Sequence, residues 1–267
     1  MKEFTVREDT TLKTFTDNYY AQASFCFRTL LKAREIRVNG ARVSADMPLK
    51  QGDIVRYFLT PKQESRAAFS VVYEDGNVIV ADKESGVNSE AVFSALGERG
   101  ETYFIHRLDR NTAGLLIFAK NAEAEGELLS AFRDRRAEKI YLARVVGCPK
   151  EKHAVCTAYL KKDAAASRVR VSSKPVGEKI ITEYEVLEGG ETSLLRVTLH
   201  TGKTHQIRAH LAFLGCPIVG DEKYGDGAYN RAHNAVRQKL VAKRLTLRCA
   251  GALAYLDGRS FLSSHEV

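Results

Sequence analysis

An α+β fold, with a mixed, mainly antiparallel sheet flanked by helices, is the architecture this sequence predicts, and three observations carry it. Strand-like apolar runs bounded by turn residues outnumber helical stretches. Those runs follow one another with few helices between them, which favours hairpins over the crossovers of a parallel, doubly wound sheet. An Asn-Gly pair, Asn39-Gly40, sits between β-branched flanks and marks a two-residue hairpin, because both turn positions need positive φ.

Taken in order, residues 10 to 60 read as a small α+β unit: a helical stretch from Leu12 to Ala33, the hairpin Arg37 to Val43, and an extended run from Leu49 to Leu59. Its helix end and turn carry Arg28, Lys32, Arg34, Arg37 and Arg42, a cluster that can lie along a phosphate backbone. Thr60-Pro61-Lys62-Gln63-Glu64-Ser65-Arg66 is polar, contains a proline and lacks apolar periodicity, so the linker and domain boundary are expected there, dividing the chain into residues 1–60 and 61–267.

Beyond it the predicted strands are Val71 to Tyr73 and Val78 to Ala81 around Asp75-Gly76, then Gly114 to Ala119, Tyr141 to Gly147, Ile180 to Leu187 and Leu194 to His200. Two helices interrupt them. Asn121 caps the first, with Glu123, Glu125 and Glu127 near its positive end and Arg133, Arg135 and Arg136 near its negative end. The second runs from Thr204 to Leu214 and stops at Gly215, ahead of Pro217.

The 267 residues suffice for one large domain or a large and a small one, and the 44% apolar content is that of an ordinary soluble protein. Lys and Arg number 41 against 33 Asp and Glu, a net charge of +8, so an acidic partner such as nucleic acid is expected. No apolar run reaches the roughly 18 residues of a membrane span, and the start MKEFTVREDTTLK has no apolar stretch of the secretory kind, so no membrane partner and a cytoplasmic location are expected. Five scattered cysteines without a CxxC pair argue against a disulfide framework or zinc finger. His200, His205 and His210 lie five residues apart, a step that changes face on a helix or strand, so no metal site is expected from them.

Two stretches carry the candidate chemistry. His106-Arg107-Leu108-Asp109-Arg110-Asn111-Thr112-Ala113-Gly114 places an acid in a loop that runs directly into an apolar strand, the kind of rigid mounting that catalytic groups need. Alone, Asp109 is more simply read as a turn cap or the partner of a neighbouring arginine. Thr201-Gly202-Lys203-Thr204-His205-Gln206-Ile207-Arg208-Ala209-His210-Leu211 opens a helix with a donor-rich turn suited to an anion, but polar helix starts are common.

Together the motifs are far more specific. Val72-Tyr73-Glu74-Asp75 with Val80 to Gly86, then HRLDRNTAG, Lys139-Ile140-Tyr141-Leu142-Ala143, TGKTHQIRAHL and Gly220-Asp221-Glu222-Lys223-Tyr224-Gly225 resemble, in order and spacing, the RluA family of pseudouridine synthases over roughly residues 70 to 225. The unit at residues 10 to 60 resembles the S4 RNA-binding domain that precedes the catalytic domain in many members. The resemblance implies a pseudouridine synthase catalytic domain, RNA as partner, no cofactor and no metal; the sequence does not reveal the oligomeric state, for which a monomer is only the default.

At matching positions it implies Asp109 as catalytic aspartate, Tyr141 as the tyrosine that contacts the base, and Arg208 as the partner of the aspartate. Arg107, Lys83, Lys203 and His205 lie in matching motifs and are expected at the pocket and its phosphate contacts. The sequence departs from the family pattern at Lys83-Glu84-Ser85-Gly86, where Lys-Pro-Ala-Gly is usual, at Ala113 for serine, at Lys203 for arginine, and at Lys239 to Leu247, which lacks the usual His-Ala pair.

The chemistry fits these residue types. Isomerisation breaks the C1′–N1 bond, turns the uracil and rejoins it through C5, without net oxidation. A carboxylate must be ionised to act at the sugar, and a nearby guanidinium keeps it so. The base must also leave its stack for a pocket. Large-subunit ribosomal RNA is the expected substrate, with transfer RNA as the alternative. The competing functions are a noncatalytic S4-type RNA-binding protein and an RNA hydrolase, which would also use a carboxylate but shows no second acid beside Asp109 in the sequence.

Overall fold

The computed structural model describes residues 1–163 and 168–267. Among them an eleven-stranded sheet forms the body of the molecule. From one edge its strands run Arg168–Ser172, His153–Asp163, Glu178–Glu188, Thr192–Leu199, Ala137–Val146, Leu240–Leu247, Ala113–Ala119, Val78–Lys83 and Phe69–Glu74, with Ser260–Leu262 and Tyr103–Phe104 attached beside the path. Neighbours are antiparallel except Ala113–Ala119 against Leu240–Leu247, so the sheet is mixed and mainly antiparallel, as expected.

The one parallel junction lies just after the Asp109 loop. Gly114 pairs with Ala242 there at φ +113°, and a Cβ on it would stand 2.4 Å from the Ala242 carbonyl oxygen. Only glycine lets the two backbones meet.

Helices cover the two faces of the sheet, each over its own apolar cluster. Ser89–Gly97 and Gln206–Phe213 serve one, with Leu96, Leu116, Phe118, Val197 and Leu211 buried. Ala122–Arg133 serves the other, with Val80, Leu115, Ile117 and Leu128. Asn121 caps Ala122–Arg133, its Oδ1 accepting the Ala124 N–H at 2.9 Å. Gln206–Phe213 is shorter than the expected Thr204–Leu214 and is followed by Gly215 at φ +83°.

The N-terminal residues fold around their own core of Leu12, Phe15, Tyr20, Leu30, Ile36, Val55 and Tyr57. Asn39 and Gly40 take φ +50° and +85° and join Val38 to Ala41, so the expected hairpin is present. The expected helix from Leu12 to Ala33 is instead three, Leu12–Tyr19, Ala21–Phe25 and Phe27–Ala33. Tyr20 leaves the helical region at φ −142°, ψ 88°, which turns its ring into the N-terminal core and sends Ala21 into the main sheet's core.

Thr60–Arg66 also differs from an irregular linker. Pro61–Glu64 is a short helix with a capping box, Thr60 Oγ1 accepting from Gln63 N–H and Gln63 Oε1 from Thr60 N–H. The strands His153–Asp163, Arg168–Ser172, Leu240–Leu247 and Ser260–Leu262 and the helices Ser89–Gly97 and Gly227–Ala232 were not anticipated. No helix among the described residues is long and apolar enough to cross a membrane.

The two parts are in direct contact. Arg110, next to Asp109 in the chain, ion-pairs with Asp17 and donates to Ser24 Oγ at 3.1 Å; Asn88 donates to Asn18 at 2.9 Å, and Lys2 meets Glu98 at 2.8 Å.

Candidate active site

The loop bearing Asp109 is fixed from several sides. Ser89, buried at the start of its helix, uses one hydroxyl to accept the Leu108 N–H at 2.9 Å and to donate to the Leu108 carbonyl at 3.0 Å. Leu108 is anchored in the core, Gly86 N–H and Lys83 Nζ both donate to the Arg110 carbonyl, and Ser85 Oγ donates to that of Asn111. A closing turn from Thr112 N–H to the Asp109 carbonyl, 3.0 Å, leaves the carboxylate projecting into a cavity of about 780 Å³. That size suits a small organic ligand or an extruded nucleotide.

Asp109, Tyr141 and Arg208 all line this cavity. Arg208, on Gln206–Phe213, donates from Nη1 to Asp109 Oδ2 at 2.8 Å and grips Asp221 with Nε at 2.6 Å and Nη2 at 2.9 Å. Its side chain is only 7% exposed and that of Asp221 is wholly buried. Burial works against the guanidinium's charge, but the two carboxylates outweigh it and hold its pKa above the ordinary value. Burial likewise opposes Asp221, whose pKa the Arg208 hydrogen bonds nonetheless bring down. Asp109 therefore sits against a fixed positive charge.

Tyr141 projects from Ala137–Val146 and is buried; desolvation, reinforced by the Asp109 charge, raises its phenol well above the usual range, so it stays protonated. His106 also lines the cavity, stacked on Phe132 and accepting the Ile117 N–H at 3.2 Å. Burial pushes its pKa down to about 3, so it is neutral at ordinary pH.

His205 also lines the cavity, its Nε2 4.0 Å from Asp109 and its Nδ1 2.9 Å from the Tyr224 hydroxyl. Arg107 and Lys203 stand at the rim, paired with Glu90 at 3.1 Å and Glu178 at 2.6 Å. His200 and His210 turn elsewhere, to Glu183 and Thr182.

Lys83 requires a correction. It was expected to contact phosphate, but it is wholly buried, and its ammonium donates to the carbonyls of Glu84, Val87 and Arg110 at 3.0, 2.8 and 3.2 Å. Burial pushes its pKa down to about 7, against the pull of Asp109. With all three donors spent on backbone, Lys83 ties the Asp109 loop to the turn before Ser89–Gly97 and has nothing left for a ligand.

Arg28, Lys32, Arg34 and Arg42 are exposed on the N-terminal part, without an ion-pair partner among the described residues, and Arg37 lies over the Phe58 ring at 4.8 Å. None of the five lines the cavity.

Asp221 and Tyr224, within the Gly220 to Gly225 motif, are site residues to which the sequence alone assigns no role. The available signal was the glycine spacing. A Cβ on Gly220 or Gly225 would collide with backbone oxygens at 1.9 and 2.2 Å, which marks a turn folded tightly enough to bring its acid under Arg208.

A family model described as RNA pseudouridylate synthase matches residues 77–213. Ribosomal large subunit pseudouridine synthase C of Vibrio parahaemolyticus is 34% identical over 253 residues, which cover 85% of this chain and 78% of the relative. An uncharacterized RNA pseudouridine synthase of Aquifex aeolicus is 30% identical over 252 residues, 84% of this chain and 79% of the relative. Among solved structures, Human RNA Pseudouridylate Synthase Domain Containing 1 superposes with a TM-score of 0.60 at 26% identity, covering 74% of this chain and 90% of that one. The motifs, the fold and these relatives agree: the chain belongs to the RNA pseudouridylate synthase family, among its RluA-type members.

Proposed function

We propose that this protein isomerises uridine to pseudouridine in large-subunit ribosomal RNA, with Asp109 as the catalytic carboxylate. One observation carries the reading: Asp109 meets the Arg208 guanidinium at 2.8 Å in a cavity that Tyr141 also lines. A carboxylate positioned by a fixed guanidinium can act at C1′ or on a sugar proton. The same guanidinium offsets negative charge on the detached uracil, and the Tyr141 ring provides a face for the base. The substrate class rests on the relatives named ribosomal large subunit pseudouridine synthase, and it fits a cytoplasmic setting.

Residues 1–60 act in this reading as an S4-like RNA-binding domain beside the catalytic residues 61–267. Arg28, Lys32, Arg34, Arg37 and Arg42 follow the phosphate backbone, while Arg107 and Lys203 meet the nucleotides flanking the flipped base. The rim arginine and lysine exchange their carboxylate partners for phosphate when RNA arrives.

Purified protein incubated with unmodified large-subunit ribosomal RNA tests the reading by nucleoside mapping and RNA mass. Pseudouridine at defined positions with no change of mass supports it. Abasic sites or chain cleavage would replace it with hydrolysis, binding without modification would leave an RNA-binding protein, and modification of transfer RNA alone would change the substrate.

A further inference from the structure

We propose that His205 is the base that removes the C5 proton from the uracil after it has rejoined the sugar, a role that rests on the isomerisation proposed above. Isomerisation needs such a group. Once the C1′–C5 bond has formed, C5 carries both the sugar and its original hydrogen. Breaking the C5–H bond returns its electron pair to the ring and restores the C5–C6 double bond. One proton therefore leaves C5 and one arrives at N1, with no oxidant or reductant.

The geometry singles out His205 for this transfer. Its backbone sits at φ +53°, ψ 18°, immediately before Gln206–Phe213, a left-handed conformation that a non-glycine residue keeps only where its surroundings enforce it. Its side chain is 16% exposed, at the cavity. Nε2 stands 4.0 Å from Asp109 Oδ1, beyond hydrogen-bond range. Nδ1 is 2.9 Å from the Tyr224 hydroxyl, which itself accepts the Val169 N–H at 2.8 Å.

The transfer uses the tautomer with the proton on Nδ1, donated to the Tyr224 oxygen, which leaves the Nε2 lone pair on the side of the cavity and Asp109.

The charged and titratable groups around the ring are Asp109 on its loop, Arg208 on the helix that His205 precedes, Asp221, Lys223 and Tyr224 on the following turn, and Arg168 over the Tyr224 ring. Burial pushes the histidine pKa below the ordinary value; Asp109 opposes this, and Arg208 and Lys223 add to it. The resting ring is therefore neutral and able to accept a proton. The imidazolium formed by the transfer faces Asp109, whose carboxylate is free again once C1′ is bonded to C5. It then yields its proton toward N1, directly or through water, and the ring returns to its starting state.

The test uses single-turnover kinetics of the full chain on an RNA that the wild type modifies, with protium or deuterium at C5 of the target uridine. His205→Asn tolerates the left-handed backbone but cannot take a proton. His205→Gly suits φ +53° and leaves room for added imidazole. The expected results are a fall of at least tenfold in rate at saturating enzyme, a C5 isotope effect that is larger than in the wild type, and partial recovery of His205→Gly with imidazole. The wild-type rate should fall as pH drops through the His205 pKa, and His205→Asn should lose that limb.

Variants that fold, as judged by melting, yet keep the wild-type rate and isotope effect would overturn the proposal. Weakened RNA binding with an unchanged saturated rate would reduce His205 to an RNA contact and overturn it equally. Failure of the wild type to form pseudouridine would instead overturn the functional reading on which it rests.

Discussion

Arg208 divides one guanidinium between two carboxylates, giving Nε and Nη2 to the buried Asp221 and Nη1 to Asp109 at the cavity. Asp221 fixes the plane of the fork, and that plane determines where Nη1 points.

Asp221→Asn should therefore damage both stability and chemistry. Removing one partner of a buried pair costs about 3–5 kcal/mol, and Asp109, which still meets Arg208 at the cavity, offsets only part of that loss. The loss should appear in the urea midpoint, with activity at least tenfold lower in material that is still folded. Unchanged activity would mean that Arg208 keeps its aim without Asp221.

Gly114→Ala should destabilise the protein by about 2 kcal/mol or more, since a side chain here meets the Ala242 carbonyl and strains a positive φ. Differential scanning calorimetry checks this. A wild-type melting temperature would show that the parallel junction can open without cost.

Acid should weaken the fold through its buried neutral histidines. Burial pushes His210 down to about 4 and His106 to about 3, below the 6.5 of an exposed ring. As pH falls below 6.5 the unfolded chain binds protons that the native rings refuse, so stability declines from pH 6.5 toward 4, at most about 1.4 kcal/mol per pH unit for each ring. His210→Asn should make the decline of the urea midpoint shallower in that window. An equal slope in the variant would assign the acid sensitivity elsewhere.

The basic face of the N-terminal part should act through salt-dependent affinity. Changing Arg28, Lys32, Arg34 and Arg42 together to Ala should reduce the slope of log affinity against log salt by about 0.7–0.9 for each phosphate that is no longer neutralised, while the rate at saturating RNA is preserved. A filter-binding titration decides it, and an unchanged slope would remove this face from the RNA path. Deleting residues 1–60 is a poorer experiment, because it also strips Ala21 from the main core and Asp17 from Arg110.

Much of this architecture was legible. The Asn39-Gly40 hairpin, the Asn121 cap and the Gly215 stop rest on local rules, and local rules were enough. The motif loops were legible through their resemblance, in order and spacing, to the RluA family. The helix Ser89–Gly97 was missed because its apolar residues are too continuous for a clear helical stripe. The strand His153–Asp163 was missed because it is largely exposed, and its Lys161-Lys162-Asp163 end resembles a loop.

The division of Leu12–Ala33 into three helices follows from Tyr20 and Ala21 packing into different cores, a tertiary fact without a local signature. Lys83 shows the same limit: its place in a matching motif suggests a phosphate contact, and only the fold reveals three carbonyls waiting for it.

The account turns on the Asp109 carboxylate, and replacing it with an amide of the same shape is its most direct test. Asp109→Asn should bind target RNA within a few-fold of wild type while forming no detectable pseudouridine at any mapped position, read on the same RNA after prolonged incubation. Modification by Asp109→Asn at the wild-type rate would contradict the account.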